Sequence, residues 1–417
     1  MEKIKFGIFG LGRGSGFYDG VSANNGEVVA VCDFDENKLK KAKEDHPDVT
    51  TYTDFDEFIN HEGLEAVFLC NYFHEHTPYA IKALEKNIHV LSECTSNISM
   101  GEGVQLVRAV EKSNAFYMIA ENYPFMKFNQ EMRKVYQSGV LGKALFCEGE
   151  YNHPFNMNDD AFRRVYMYHP KHWRNYLART YYITHSLGPV MCATGATPKT
   201  VTAFAAFAPH DEDIPTAEFV GDRAAIITTQ NDDGSIFRVT GCCGFGGHHN
   251  SYRICGTNGQ IENLRGTGEK IMLRYNSWSI PEGREEINYY DAQWNDKDEE
   301  LIKSSGHGGG DYITARMFIE CLIENREPEH PFNIKSAIAM SSTAILAHRS
   351  MLEGGRPYQI PDFDREEDCA LYENDRLSPF YRMDGTPPTL PCCSHPDYRP
   401  TDSQIKKYMQ ALGLDSE

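Results

Sequence analysis

Short apolar runs alternate with helical segments through the first third of the chain. Ile4–Phe9 is an apolar run that ends at Gly10, and Val28–Cys32 is a second that ends at Asp33. Glu36–Glu44 reads as a charged, exposed helix, and Ala66–Cys70 is a third apolar run. Pro78–Lys86 carries Ala80, Ile81, Ala83 and Leu84 at helical spacing. Ile88–Leu91 and Phe116–Ala120 predict strands on either side of a helix over Val104–Glu111. Short β-branched runs separated by helices are what parallel strands with crossover helices produce. The pattern therefore predicts an α/β domain over residues 1–122.

Beyond residue 122 the period changes. After one more helix at Phe128–Ser138, β-rich or alternating segments follow at Ala144–Tyr151, Thr200–Phe207, Arg223–Thr229, Ile236–Gly241, Arg253–Cys255 and Lys270–Arg274. They predict an α+β domain, residues 123–363, built on a large, mostly antiparallel sheet. Tyr312–Asn325 and Ile334–Met351 read as long helices, and Pro357–Ile360 as a closing strand. Residues 364–417 are rich in Pro, Asp and Glu. This tail is expected to wrap the surface, with a short helix near Gln404–Leu412. No internal repeat is present.

Charge narrows the partners. The 417 residues carry a formal charge of −19 and no basic run. A nucleic-acid binder needs clustered Lys and Arg, and an anionic membrane surface would repel this chain. No stretch approaches the ~20 apolar residues of a membrane span. The opening MEKIKFGIFG reads as a strand and not as a signal peptide. The 12 cysteines are scattered without CxxC pairs, several within apolar segments, which predicts reduced thiols and a cytoplasmic protein. Aromatic residues at 12% suit a ring-binding pocket or, more simply, a well-packed β-rich interior. No spacing of His, Cys or Asp predicts a metal site.

Chemistry enters at the first strand end. Ile4–Phe9 runs into Gly10-Leu11-Gly12-Arg13-Gly14-Ser15-Gly16, a G-x-G turn with Ser15 where a third small residue is usual. Gly10 can take a positive φ, Gly12 lets a pyrophosphate approach the backbone, and the following helix start offers free N–H groups. Asp33 ends the next strand about twenty positions on, as a dinucleotide fingerprint requires. Its carboxylate suits the adenosine ribose hydroxyls and would repel a 2′-phosphate, so NAD is expected over NADP. Arg13, which could reach a phosphate, weakens that preference. This makes the first domain a Rossmann domain.

The segment Glu65–Asn97 reads EAVFLCNYFHEHTPYAIKALEKNIHVLSECTSN. It resembles the glucose–fructose oxidoreductase / inositol dehydrogenase (Gfo/Idh/MocA) family, which has a polar, His-containing loop after a strand and an HVL-x-E-K-P strand end. Asn71, His76 and Glu93 fall on those motifs, while Cys94-Thr95 replaces Lys-Pro. Further similarities are Ala120-Glu121-Asn122-Tyr123, Glu150–His153, Trp173-Arg174, Tyr182–Pro189, Gly306–Gly309 with Asp311, and Ile360–Phe363. These resemble the NAD-dependent glycosidase branch, the α-N-acetylgalactosaminidase-like enzymes, in which the Lys is also absent. The resemblance extends to about residue 365 and is poor over 200–300, so no particular sugar follows from it.

The resemblance implies NAD held by Gly10, Gly12, Arg13, Gly14, Ser15, Asp33, Asn71, His76, Glu93 and Asn122. A carbohydrate substrate would be fixed by Glu121, Arg174 and His307. His185 is the expected base for a hydroxyl proton, with Tyr182 or Tyr151 beside it. Tyr182 and His185, three apart, would share a face of a helical turn. Without the resemblance, Tyr182 and His185 would read as core, Glu121 and Arg174 as ion-paired, and His307 as a loop residue. The leading expectation is an NAD-dependent oxidoreductase acting on a secondary hydroxyl of a sugar or glycoside. One alternative is an NAD-assisted glycoside hydrolase that oxidises, eliminates, adds water and re-reduces with no net redox change. Another is a non-catalytic NAD-binding sensor. Homo-oligomerisation through the C-terminal sheet is implied by the resemblance alone.

Overall fold

The computed structural model describes residues 2–156, 158, 159, 161, 163 and 169–414. Six strands form the first sheet: β1 (Ile4–Phe9), β2 (Gly26–Cys32), β3 (Thr50–Tyr52), β4 (Ala66–Leu69), β5 (His89–Ser92) and β6 (Tyr117–Ile119). Their order is β3-β2-β1-β4-β5-β6 and every pairing is parallel. This is the doubly wound order whose switch point, between β1 and β4, opens a crevice at the strand C-termini. All four residues of β4 are buried because helices cover both faces of the sheet. β3 is too short and too polar (Thr50, Thr51, Tyr52) to have been visible as an apolar run.

The second sheet has nine strands. They are β7 (Ala144–Asn152), β8 (Pro198–Ala206), β9 (Ala224–Asn231), β10 (Ile236–Gly241), β11 (His249–Gly256), β12 (Gly259–Asn263), β13 (Lys270–Tyr275), β14 (Ile287–Asp291) and β15 (Tyr358–Gln359). Their order is β14-β13-β12-β11-β7-β10-β9-β8-β15. Only the β7–β10 pair is parallel. β12 and β14 are the strands that the apolar pattern did not predict. One face packs on the helices Thr184–Thr194 and Ile334–Leu352. The other is open, and Phe204, Ile226 and Ile236 are exposed there.

The two parts are not independent bodies of sequence. Helix Gly310–Glu324, which follows the second sheet in the chain, packs on the first. Its Phe318 touches the rings of Phe6, Phe68 and Phe116, and its Ala315 approaches Gly20 so closely that a Cβ there would stand 3.0 Å away. The tail also does more than wrap. Phe380 is 1% exposed and lies 5.1–5.7 Å, ring to ring, from Tyr181, Phe73 and His74. Arg382 pairs with Glu102, and Met383 N–H donates to Glu75 at 3.0 Å. Among the described residues, no helix is long and apolar enough to cross a membrane, and all 12 cysteines are free.

Candidate active site

The turn after β1 fits a dinucleotide phosphate. Gly10 has φ 93°, and a Cβ on it would stand 2.4 Å from the Cys70 carbonyl oxygen. A Cβ on Gly12 would meet only Lys38 Nζ, at 3.6 Å, so the space in front of its backbone is open. The first-turn N–H groups that follow lack helical acceptors. Gly14, not Ser15, supplies the close helix–sheet packing, because its Cβ would stand 2.4 Å from Ile8 whereas Ser15 is exposed. Asp33 is 7% exposed and accepts hydrogen bonds from Leu11 N–H at 2.7 Å and Asp35 N–H at 2.9 Å. It thus fixes the turn, with Lys38 Nζ 3.5 Å from its carboxylate.

Two further observations at the C-terminal ends of β4 and β6 fit a bound cofactor. The amide oxygens of Asn71 and Asn122 are buried with no hydrogen-bond partner, a state that is costly unless a ligand supplies donors. Their NH₂ groups are taken: Asn71 donates to the Glu75 carbonyl at 3.2 Å and Asn122 to Asp311 at 2.7 Å. His76 is different. It is 2% exposed and spans the carbonyls of Thr95 (2.9 Å) and Asn71 (3.3 Å), which ties two strand-end loops together.

Arg13 does not extend towards a phosphate. Its guanidinium donates to Glu93 at 2.8 Å and, bidentately, to Asp311 at 2.8 and 2.6 Å, above the ring of Phe17. Asp311 also accepts from Asn122, and His307 Nδ1 lies 3.0 Å away. Burial alone would raise the Asp311 carboxyl, but Arg13 and His307 hold it well below the ordinary range. His307 sits at φ 53° in the Gly306–Gly309 turn and presents a 40% exposed side chain to the crevice. Asp311→Ala leaves Arg13 paired only to Glu93. Removing one partner of a buried pair costs about 3 kcal/mol, so a urea titration should show that loss, and the affinity for NAD should fall with it.

A second polar cluster lies on the other side of Glu93. Glu121 is wholly buried and its two oxygens lie 3.0 and 3.1 Å from His185 Nδ1. It also accepts from Tyr123 N–H at 3.1 Å and from the Cys94 thiol at 3.3 Å. Burial pushes the Glu121 carboxyl up, but His185 and the hydrogen bonds of His185, Thr184 and Tyr123 outweigh it and leave the carboxyl below its ordinary value. The Cys94 thiol goes the other way: burial, then Glu121 and Glu93, raise it well above the ordinary thiol range. Cys94 is therefore a neutral donor where a lysine would bring charge.

His185 is stacked on Tyr123 with ring centroids 3.9 Å apart and meets Tyr151 and Tyr182 edge-on at 5.0 and 5.3 Å. Glu121 fixes Nδ1, which leaves Nε2 as the nitrogen available for proton transfer. Tyr182 does not share a helical face with His185 as the three-residue spacing predicts. It has φ −105° and ψ 63° and precedes the helix, which begins at Thr184. Tertiary stacking brings the two rings together instead, with Tyr182 lying against Phe73, Trp173 and Tyr151. Burial raises the phenols of both tyrosines, with Arg174 drawing Tyr182 back only in part. Both are proton donors, not bases, in this state. Arg174 lies over Trp173 at 4.4 Å, on the rim.

Several contributors carried little sequence signal. Cys94, Tyr123 and Asp311 sit inside recognisable motifs without an assigned role. Phe73, Trp173 and Phe380, which build the aromatic wall, are apolar residues that no local pattern separates from core.

Comparison with known proteins gives two family matches. Residues 4–121 match the oxidoreductase family with an NAD-binding Rossmann fold (Gfo/Idh/MocA). Residues 223–368 match the C-terminal domain of glycosyl hydrolase 109 and include much of the stretch where no motif was legible. A glycosyl hydrolase family 109 protein of Streptomyces filamentosus is 25% identical over 406 residues, covering 87% of this chain and 78% of that protein. A second, of Akkermansia muciniphila, is 25% identical over 408 residues, covering 88% and 84%. Among solved structures, levoglucosan dehydrogenase with NADH and levoglucosan superposes with a TM-score of 0.72 at 15% identity, over 86% of this chain and 100% of that one. Myo-inositol 2-dehydrogenase of Lactobacillus plantarum gives 0.65 at 17% identity, over 86% and 100%. At these identities the two structures establish a shared fold.

Proposed function

We propose that this chain, which joins a Gfo/Idh/MocA NAD-binding domain to a glycosyl hydrolase 109 C-terminal domain, is an NAD-dependent oxidoreductase acting on a secondary hydroxyl of a sugar or glycoside. The observation that carries the reading is the buried Glu121–His185 pair among tyrosines, beside the NAD-binding crevice. NAD, when bound, supplies the oxidant for the carbinol carbon and can restore it afterwards. Gly12, Asn71 and Asn122 would hold it, with Asp33 at the ribose end. Glu121 orients His185, and Nε2 takes the hydroxyl proton. Tyr182 and Tyr151, held protonated, donate to sugar oxygens. Arg174 and His307 border the substrate from opposite sides.

The match over residues 223–368 favours a second use of the same groups, in which the redox change is closed within one turnover. A ketone next to the C–H bond beside the anomeric carbon acidifies that hydrogen. A base removes it, a tyrosine protonates the departing glycosidic oxygen, water adds, and the carbonyl is reduced again. The names of the relatives, glycosyl hydrolase family 109 proteins, support this cycle for the present chain. Turnover of an aryl glycoside in D₂O tests it. The released sugar should carry one deuterium on the carbon adjacent to the anomeric centre. A released sugar free of deuterium there would exclude the elimination, and the absence of any released sugar would leave the simple dehydrogenase.

The open sheet face, with its exposed Phe204, Ile226 and Ile236, fits pairing with a second copy, and sedimentation of the purified chain checks this. Twelve free thiols fit a reducing compartment such as the cytoplasm.

A further inference from the structure

Behind the aromatic wall lies a small half-enclosed pocket whose lining includes Arg174, Arg179, His210, Arg223 and Gly244. Arg179 donates to the backbone carbonyls of Asp222 at 2.9 Å and Cys242 at 2.7 Å. Arg223 donates to the Ala208 carbonyl at 3.0 Å and to His210 Nδ1 at 2.7 Å. Neither guanidinium makes an ion pair among the described residues, in contrast to Arg13, Arg238, Arg253, Arg316, Arg349 and Arg382. This is unexpected in a chain with 60 acidic and 41 basic residues.

The Asp222 carboxylate feels the Arg179 charge but is hydrogen-bonded elsewhere. Asp222 accepts from Ser394 N–H at 2.9 Å and from its hydroxyl at 2.5 Å. Asp211 favours the Arg223 charge from a distance, but burial and then Arg179 prevail and hold Arg223 below its ordinary value. Burial, with Arg223 and Arg179 beside it, pulls His210 down to about 4, so it is a neutral acceptor that fixes Arg223 rather than a third charge. Gly244 borders the site: a Cβ there would stand 3.6 Å from a terminal nitrogen of Arg179. The space open to the centre of a water-sized sphere is about 40 Å³, against ~10–15 Å³ for a single water on that measure.

We propose that Arg179 and Arg223 form a binding site for a tetrahedral oxyanion, a sulfate or phosphate group, either free or carried as a substituent on a sugar. Two guanidinium forks with unfilled donors, fixed by backbone carbonyls and a histidine, are the geometry that recognises such groups. An oxyanion between them removes the repulsion of two adjacent cations and satisfies the open N–H groups. The site is linked to the aromatic wall, since Arg174 lines the same pocket and lies over Trp173, whose ring is 6.2 Å from Tyr182. It stands whatever reaction the centre performs.

Isothermal titration of the full chain with sodium sulfate and with phosphate, against chloride at matched ionic strength, tests it. Saturable binding of an oxyanion, weakened about tenfold or more in Arg223→Gln, is the expected result. Galactose 6-sulfate in place of inorganic sulfate separates the sources: tighter binding than the free ion assigns the site to a substituent, and equal binding to the ion itself. No saturable binding beyond chloride, or binding undiminished in Arg223→Gln, overturns the proposal. Should that variant not fold, phenylglyoxal labelling of the unaltered chain decides. Sulfate must slow modification of Arg179 and Arg223, and unchanged rates overturn the site.

Discussion

His185→Ala is expected to lower kcat by about 10³-fold, within the range set for a general base, while leaving NAD affinity within about threefold. The separation follows from position. His185 Nδ1 is committed to Glu121, its ring face to Tyr123, and its edge to Tyr151 and Tyr182, and none of these belongs to the turn after β1. Glu121→Gln should follow it with a smaller loss, because the amide keeps the hydrogen bond and removes the charge that favours the imidazolium. Steady-state kinetics with a fluorescence titration of NAD measures both quantities. Full turnover in His185→Ala would remove this residue from the chemistry.

Stability should fall steeply on mild acidification. Four histidines are almost wholly buried: His74, His76, His172 and His348. Burial lowers all four in the folded chain, His74 to about 3, His172 to about 2 and His348 to about 4. Unfolded, each takes a proton near its ordinary pKa of ~6.5. Between these limits the unfolded state binds more protons, so stability present above pH ~6.5 is lost as pH falls. From pH 7 to 5.5 His74, His172 and His348 each contribute about 1.2 kcal/mol of loss, the three together about 4 kcal/mol, and His76 adds to it in the same direction. Glu75, raised mainly by burial, opposes this as pH falls, because the folded state then binds the extra proton. Urea unfolding at pH 7 and pH 5.5 measures the difference. Replacing His348, which bonds the Pro391 carbonyl and Thr180, would trade this sensitivity for the loss of those hydrogen bonds.

Much of the architecture was legible because the first domain repeats one simple signal. Its apolar runs coincide with β1, β2, β4, β5 and β6, and glycine with aspartate at two strand ends marks the cofactor turn. The strands that escaped are short or amphipathic: β3 has three residues, and every residue of β14 is exposed or half-buried. The residues proposed for the active centre could be named from the sequence, but their wiring could not. Glu121 and His185 stand 64 positions apart, and no local pattern couples them. Arg13 and Asp311, 298 apart, form a pair that only the packing of helix Gly310–Glu324 on the first sheet creates. Tyr182 and His185 meet through ring contact and not through helical spacing, so their proximity has a different geometric basis from the one read in the sequence. Phe380 shows the same limit from the other end: a tail read as surface contributes a buried ring behind the site.

The proposed action of bound NAD and the Glu121–His185 centre on a sugar hydroxyl, and the closing of its redox change within one turnover, are tested together by a single measurement. The decisive measurement follows aryl alcohol release and NADH absorbance together, with the purified full-length chain, NAD and a panel of aryl glycosides. Catalytic release of aryl alcohol with no net NADH, lost in His185→Ala, is the predicted result. Accumulation of one NADH per sugar oxidised, without aryl alcohol release, would leave the oxidoreductase without the closed cycle, and neither product, with NAD bound, would contradict the proposed action on a sugar hydroxyl.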